Sequence, residues 1–342
     1  MKKISINMLS KADSVDGQGV GSAYLEQVAL VKECDDLFDV SVNGRGNKYD
    51  IVHVHTINPQ YFYKMNKKSV SVCYVHMLPD TLEGSIKLPK LLFKILQKYV
   101  VRFYKRANEI VVVNPIFIKP LIELGVNEDA ITYIPNYVSK EQFHLISEEN
   151  RMEIRDFYKV PREKFVVLGV GQVQTRKGVL DFIETAKRHP EMYFVWAGGF
   201  SFGKITDGYK ELKEVVDNPP ENVLFTGILK RDKMNDIFNM ADVLFMPSFN
   251  ELFPMAILEA VNAHKPLLLR DLELYEDILF HKYEKGHNVD DFTNKLKILS
   301  EDKEAYRKAS LDAKYLSEFY SKEHVKEIWR AYYPRILEKY KK

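Results

Sequence analysis

The chain has 342 residues, a formal net charge of +2, 46% hydrophobic residues and 29% charged residues. These values fit a soluble globular protein long enough for two ordinary domains; they argue against a disordered, fibrous or broadly basic nucleic-acid-binding chain. Its two cysteines, Cys34 and Cys73, cannot build a disulfide framework and form no C-x-x-C pair, so a reducing cytosolic setting is the simplest reading.

In chain order, the opening stretch MKKISINMLSKADSVDG is interrupted by Ser5, Asn7, Ser10 and Lys11, which argues against a cleaved signal peptide. No later run reaches the roughly 20 apolar residues of a membrane-spanning helix, so any membrane contact is expected to be peripheral. KISINML, IVHVHT, SVSVCYVH, EIVVVN and ITYIP predict strands in the first part; KFVVLGVG, MYFVWAGG, NVLFTG, VLFMPS and KPLLLRD do so in the second. Most are continuous apolar runs, as parallel strands buried on both faces require. Helical patterns lie between them, for example at 21–32, 179–188, 232–241 and 255–264. This alternation predicts an α/β fold with two doubly wound parallel sheets of about five strands each. The polar stretch NYVSKEQFHLISEENR places a boundary near residue 145, giving domains 1–145 and 146–322. The charged, aromatic segment from 306 reads as helical, and 323–342 is expected to pack back on the first domain.

Four stretches carry candidate chemistry. In GQGVG, Gly17, Gly19 and Gly21 either make a plain turn or let a helix amino terminus approach an anion. Position 22 is Ser22, so the dinucleotide fingerprint G-x-G-x-x-G is absent. In VGQVQTRKG, Arg176 and Lys177 follow the strand ending at Gly171 and precede a helix. Two cations there oppose the helix dipole, and they are either solvated or held for a bound diphosphate. In PSFNELFPMAILE, Glu251 leaves the end of a strand, Pro254 suits a first helical position, and Glu259 follows inside the helix. Two carboxylates so placed can accept hydrogen bonds from sugar hydroxyls. His53, His55 and His76 could imitate a zinc site, but no fourth ligand accompanies them, and each is equally open to a structural role.

The fourth stretch, KLPKLLFKILQKYVVRFYKRA at 87–107, holds seven cations and no carboxylate, so the remaining residues sum to 2 − 7 = −5. At about 100° per residue, Lys90, Lys94, Lys98, Arg102, Lys105 and Arg106 share an arc of about 160°. Leu91 and Ile95 lie within that arc, and Leu92 falls on the opposite, apolar side. A solvated face normally mixes signs, so a polyanion is the favoured partner of Lys87 and these residues. Anionic lipid fits the apolar teeth; nucleic acid lacks an accompanying aromatic platform.

GQGVG, RKG and the E-x7-E block ELFPMAILE together resemble glycosyltransferase family 4, retaining enzymes of GT-B architecture with two Rossmann-like domains facing across a cleft. The resemblance implies that Glu251 meets the donor hexose, Glu259 the ribose and Lys177 the diphosphate. It also places Gly19, Gly171, Arg176 and Phe253 in the donor site, and His76 at the active-site histidine. The family usually has Arg where this chain has Gln172, and Arg176 is the candidate to supply that charge. The AGGFSFG loop also departs from the usual G-x-G form.

The implied reaction moves glucose or galactose from a UDP-sugar, with retention and without a catalytic metal or other cofactor. With its basic helix the chain looks closest to bacterial enzymes that extend monoglucosyl-diacylglycerol or glycosylate diacylglycerol, attached peripherally to the inner face of the cell membrane. Its partners would be a nucleotide sugar, a lipid-linked acceptor and an anionic lipid surface, not nucleic acid. A soluble or polyprenyl-linked acceptor is the rival within the family. A nucleotide-sugar epimerase and a nucleic-acid-binding protein are the rivals outside it.

Overall fold

The structure, a computed structural model, describes residues 2–11, 19–46, 48–66, 68–76, 78, 90–201, 203, 206–251 and 253–341. Its internal contacts divide the chain into two units, Met1–Tyr137 with Lys322–Lys342, and Val138–Ser321. The polar stretch around residue 145, where the sequence predicts a boundary, runs across the first division point.

The first unit holds β1 (Ile4–Leu9), β2 (Phe38–Val42), β3 (Ile51–Val54), β4 (Val70–Val75), β5 (Glu109–Val112) and β6 (Ile131–Tyr133). They form one sheet in the order β2-β1-β3-β4-β5-β6, with every neighbouring pair parallel. The Val- and Ile-rich β3 and β5 are buried along their whole length, because helices cover both faces of such a sheet. The order reverses between β1 and β3, where a doubly wound sheet opens a crevice beyond its strand ends. Helix Lys322–Lys339 closes this unit: Trp329, Tyr332 and Tyr333 are buried, and Arg330 pairs with Asp36 at 2.7 Å.

The second unit holds β7 (Val166–Val170), β8 (Tyr193–Ala197), β9 (Val223–Gly227), β10 (Val243–Met246), β11 (Leu267–Arg270) and β12 (Glu284–Gly286). Its order is β12-β11-β10-β7-β8-β9, again parallel throughout. Each sheet thus has six strands rather than about five. β12 escapes the sequence reading because it is only Glu-Lys-Gly and carries no apolar signal. Helix Val179–Arg188 buries Val179, Phe182, Ile183 and Ala186, an i, i+3, i+4, i+7 stripe that seats it against β7, β8 and β10 through Val167, Phe194, Trp196 and Phe245.

The reversal in this second sheet lies between β7 and β10, so the turns following these two strands are neighbours. They come close at Gly178, whose φ is +70° and where an added Cβ would stand 2.2 Å from the Pro247 carbonyl oxygen. Neither the dihedral nor the space admits a side chain. Gly178→Ala is therefore expected to cost about 2 kcal/mol or more, read as a lower urea midpoint for the second unit. An unchanged midpoint would show that the two turns are free to separate.

Candidate functional site

Four contacts join the turn after β7 to the loop after β10. The Phe249 N–H donates to the Arg176 carbonyl at 2.8 Å. The Arg176 Nη1 donates to the Asn250 carbonyl at 3.2 Å. Gly178 lies against Pro247. Finally, the Lys177 Nζ donates to the Glu251 Oε1 within a salt bridge whose partners are 9% and 8% exposed. Lys177 is thus no solvated surface cation. Burial holds its ammonium below the usual lysine range, against the opposing pull of Glu251. Its aliphatic stem runs along Gly171, where an added Cβ would sit 3.4 Å from the Lys177 Cε.

The backbone beside the pair is stripped of side chains. Gly171 and Gly198 have φ of +146° and +143°, and a Cβ on Gly198 would come within 2.0 Å of the Gly171 carbonyl oxygen. That oxygen also accepts from the Trp196 indole at 3.0 Å. Gln172, at the position of the family's usual arginine, accepts from the Gln174 amide at 2.7 Å, and Gln174 in turn accepts from the Arg176 Nε at 3.0 Å. A short polar relay therefore ties Arg176 to the position where the family has its arginine.

Pro254 stands one residue before helix Met255–Asn262 rather than inside it, with an extended ψ of 122°. Glu259 lies buried in the second turn and accepts from Arg231 at 2.9 Å. Phe253 is buried edge-on against Tyr320, with ring centroids 5.6 Å apart. Arg231 escaped the sequence reading, being a lone arginine far upstream. So did Arg270, which donates to the Pro247 carbonyl at 2.8 Å, pairs with Asp181 and stacks 3.9 Å from the Phe249 centroid. Arg270 therefore braces the loop that carries Glu251.

In the first unit, Gly19 opens helix Gly19–Lys32, while Gly17 lies outside the described residues. His53, His55 and His76 gather at the carboxyl ends of β3 and β4. The rings of His53 and His55 lie 4.3 Å apart, and those of His55 and His76 lie 5.9 Å apart. His53 meets the Tyr333 hydroxyl at 2.8 Å through Nδ1, but its Nε2, both nitrogens of His55 and the Nε2 of His76 have no hydrogen-bond partner among the described residues. Among the described residues, no group of three or more His, Cys, Asp or Glu is arranged to hold a metal ion. Burial keeps all three rings neutral, pushing His53 to about 3, His76 to about 4 and His55 well below its ordinary value.

The basic segment forms helix Lys90–Tyr104. Lys94, Lys98, Arg102, Lys105 and Arg106 are exposed, whereas Lys87 and the side chain of Lys90 fall outside the described residues. Leu91 and Ile95 are 71% and 56% exposed. Leu92, expected on the inward side, is 51% exposed as well, because burial along the described part of this helix begins only at Val100. Phe62, from helix Pro59–Lys64, lies beneath the guanidinium groups of Arg102 and Arg106, at 5.9 and 4.6 Å from its centroid. No helix among the described residues is long and apolar enough to cross a membrane.

Two doubly wound parallel sheets, with a buried Lys–Glu pair at the reversal of the second, make an open α/β architecture with a candidate ligand site beyond the strand ends. Residues 150–315 match the family described as glycosyl transferases group 1, and residues 41–142 match glycosyltransferase family 4. The alpha-galactosylglucosyldiacylglycerol synthase of Streptococcus pneumoniae is 41% identical, over 98% of this chain and 90% of its own. The processive diacylglycerol alpha-glucosyltransferase of Acholeplasma laidlawii is 26% identical, over 85% and 87% of the two chains. The crystal structure of Anabaena HepE in complex with UDP and glucose superposes with a TM-score of 0.77 at 15% identity, covering 96% and 98%. The chain belongs to glycosyltransferase family 4, as its motifs imply, and its fold is the expected GT-B architecture.

The neutral histidines set a pH dependence. Unfolded, each takes up a proton near pH 6.5, whereas folded His53 and His76 do so only near 3 and 4. Between these values the unfolded chain binds more protons, so stability falls as the pH drops from 6.5 towards 4. The expected slope is up to about 1.4 kcal/mol per pH unit per histidine, measurable as a shift of the urea midpoint of the first unit. His55→Phe should remove about a third of that slope; a midpoint flat from pH 7 to 5 would contradict the burial argument.

Proposed function

We propose that this chain transfers glucose or galactose from a UDP-sugar, with retention of configuration, to a glycolipid acceptor, monoglucosyl-diacylglycerol or diacylglycerol, at a membrane surface. The observation that carries the reading is the buried Lys177–Glu251 pair at the end of β7 and β10. A lysine ammonium has three N–H donors, so holding Glu251 with one does not exhaust it, and a diphosphate oxygen can take another. An arriving diphosphate would also relieve the desolvation that weakens the Lys177 cation. Glu251, oriented by that contact, would accept from hydroxyls of the donor hexose, and Glu259 from those of the ribose. Gly19, Gly171 and Phe253 would complete the donor contacts.

In this mechanism the bond between the anomeric carbon and the diphosphate oxygen breaks while the acceptor oxygen attaches on the same face. The departing phosphate oxygen takes the acceptor proton. The protein contributes preorganised charge: Lys177 and Arg176 stabilise the negative charge growing on the leaving diphosphate. We assign Arg176 this role because the relay through Gln174 ties it to the position where the family has its arginine. His76, held neutral by burial, can accept or donate a hydrogen bond without placing a charge beside the reacting sugar.

The acceptor class is supported by the two diacylglycerol-directed relatives and by the basic helix. Leu91, Leu92 and Ile95 are exposed among cations on one short helix, as in a peripheral helix lying in the headgroup layer.

Incubation with UDP-glucose or UDP-galactose and either lipid in anionic vesicles should yield a new glycolipid, resolved by chromatography. Lys177→Ala and Glu251→Gln should each lower turnover at least ~100-fold, the scale of losing one preorganised contact. Absence of lipid product with both donors and both acceptors overturns the reading. Vesicle flotation tests the surface separately: Lys94→Ser with Lys98→Ser should weaken binding about 30-fold at low salt, from roughly 1 kcal/mol per cation. Undiminished flotation would remove the helix from the membrane contact.

A further inference from the structure

Beneath the basic helix lies a cavity of about 420 Å³, within the roughly 300–1,000 Å³ of small-molecule sites. The loop after β3 supplies Thr56, Ile57, Asn58 and Pro59 to its wall, and the ends of β3 and β4 supply His55, Tyr74 and His76. The helix itself contributes Leu96, Tyr99 and Tyr104. Helix Lys90–Tyr104 thus works on two sides. Leu92 and Ile95 face outward with the cations, while Leu96 and Tyr99, a few residues further on, face the cavity. The wall is rigidly tied, since the Tyr99 hydroxyl donates to the Ile57 carbonyl at 2.6 Å and the Thr56 hydroxyl to Asn58 at 2.7 Å.

Two properties of this wall select a ligand. Among the described residues it contains no Lys, Arg, Asp or Glu, so a charged group brought against these residues would find no counter-ion among them. It does contain both ring nitrogens of His55 and the Nε2 of His76, which lie buried without a hydrogen-bond partner among the described residues and call for a hydroxyl or water. Three tyrosine rings supply the broad apolar surface on which the carbon face of a polyol can rest.

We infer that this cavity takes the uncharged, hydroxyl-bearing headgroup of a lipid, a sugar or a glycerol, whose hydrocarbon tail leaves along the exposed Leu91–Ile95 face of the same helix. The inference deepens the proposed function and rests on its lipid acceptor. It adds that headgroup choice is made by a wall whose described residues carry no ionic side chain, although the surface outside is strongly basic. Attraction to anionic lipid and selection of a neutral acceptor are then separate tasks, divided between two faces of one helix.

The test uses three amphiphiles with one tail, octyl glucoside, 1-O-octylglycerol and octyl phosphate, each titrated below its micellar concentration by calorimetry. The common tail makes any difference a headgroup effect. Octyl glucoside, octylglycerol or both should bind at least tenfold more tightly than octyl phosphate, and their order identifies a sugar or a glycerol site. Leu96→Trp, which fills the cavity from the helix side, should weaken the favoured ligand at least tenfold while UDP affinity stays unchanged. His55→Phe keeps the ring volume and removes its nitrogens; it should weaken the same ligand several-fold and decides the matter if Leu96→Trp fails to fold. Octyl phosphate binding as tightly as the neutral pair overturns the inference, as does unaltered binding in both variants. Headgroup binding without sugar transfer would instead overturn the proposed function and leave the cavity assignment standing.

Discussion

A lysine and a glutamate share one dry position at the carboxyl ends of β7 and β10, and the donor-binding reading depends on that pairing. Breaking a buried pair by removing one partner leaves an uncompensated charge, at a cost of roughly 3–5 kcal/mol. The fold therefore has to deliver both side chains together, and it does so through backbone. The Arg176 carbonyl receives the Phe249 N–H, Gly178 allows contact with Pro247, and Arg270 fastens Pro247 from the far side. A buried ion pair is weak evidence for stability, since an apolar pair of equal volume is often as good. Its place at a topological switch point suits the proposed role, keeping a cation and a carboxylate dry and oriented for a ligand rich in both phosphate and hydroxyl groups.

The first unit solves the opposite problem. Among the described residues no carboxylate stands with its buried histidines, so desolvation has no counterweight there and the rings stay neutral. Its cations stand in water on one helix, two of them laid over Phe62. The cations of this helix stay at the surface and the unit's buried Glu109 is met by Lys339 at 2.7 Å, away from the histidines, whereas the second unit brings the charges of Lys177 and Glu251 inside together. Hydroxyl recognition suits the first arrangement and diphosphate recognition the second.

How much of this was legible in the residues depends on what each signal measures. Continuous Val and Ile runs report burial on both faces, so β3, β4, β5, β7 and β10 stand out, while the Glu-Lys-Gly strand β12 does not. The spacing of Glu251 and Glu259 marks the helix and the loop but not their partners, because Lys177 and Arg231 reach them through tertiary packing. Leu92 shows the limit of a helical wheel, which gives direction around an axis and is blind to where along that axis the helix meets its neighbours. The Gln172–Gln174–Arg176 relay was invisible for a related reason: its contacts form around the single 3-10 turn Thr175–Lys177 before helix Val179–Arg188, too short for a periodicity to indicate which side chains meet.

The departure at Gln172 now acquires a physical meaning. An arginine there would bring its own charge directly to the end of β7. A glutamine brings none, but its amide oxygen accepts from Gln174, and Gln174 then has its own oxygen available for the Arg176 Nε. The guanidinium is thereby placed two contacts away while its Nη1 also bonds the Asn250 carbonyl, beside Glu251. In the proposed mechanism the charge at this site is then set by position in space, not position in sequence, and a neutral amide pair holds the arginine that carries it. A substitution of Gln174 that cannot accept a hydrogen bond would leave every charge in the chain intact and still loosen Arg176 from this anchor. The site's electrostatics therefore depend on a residue that carries no charge.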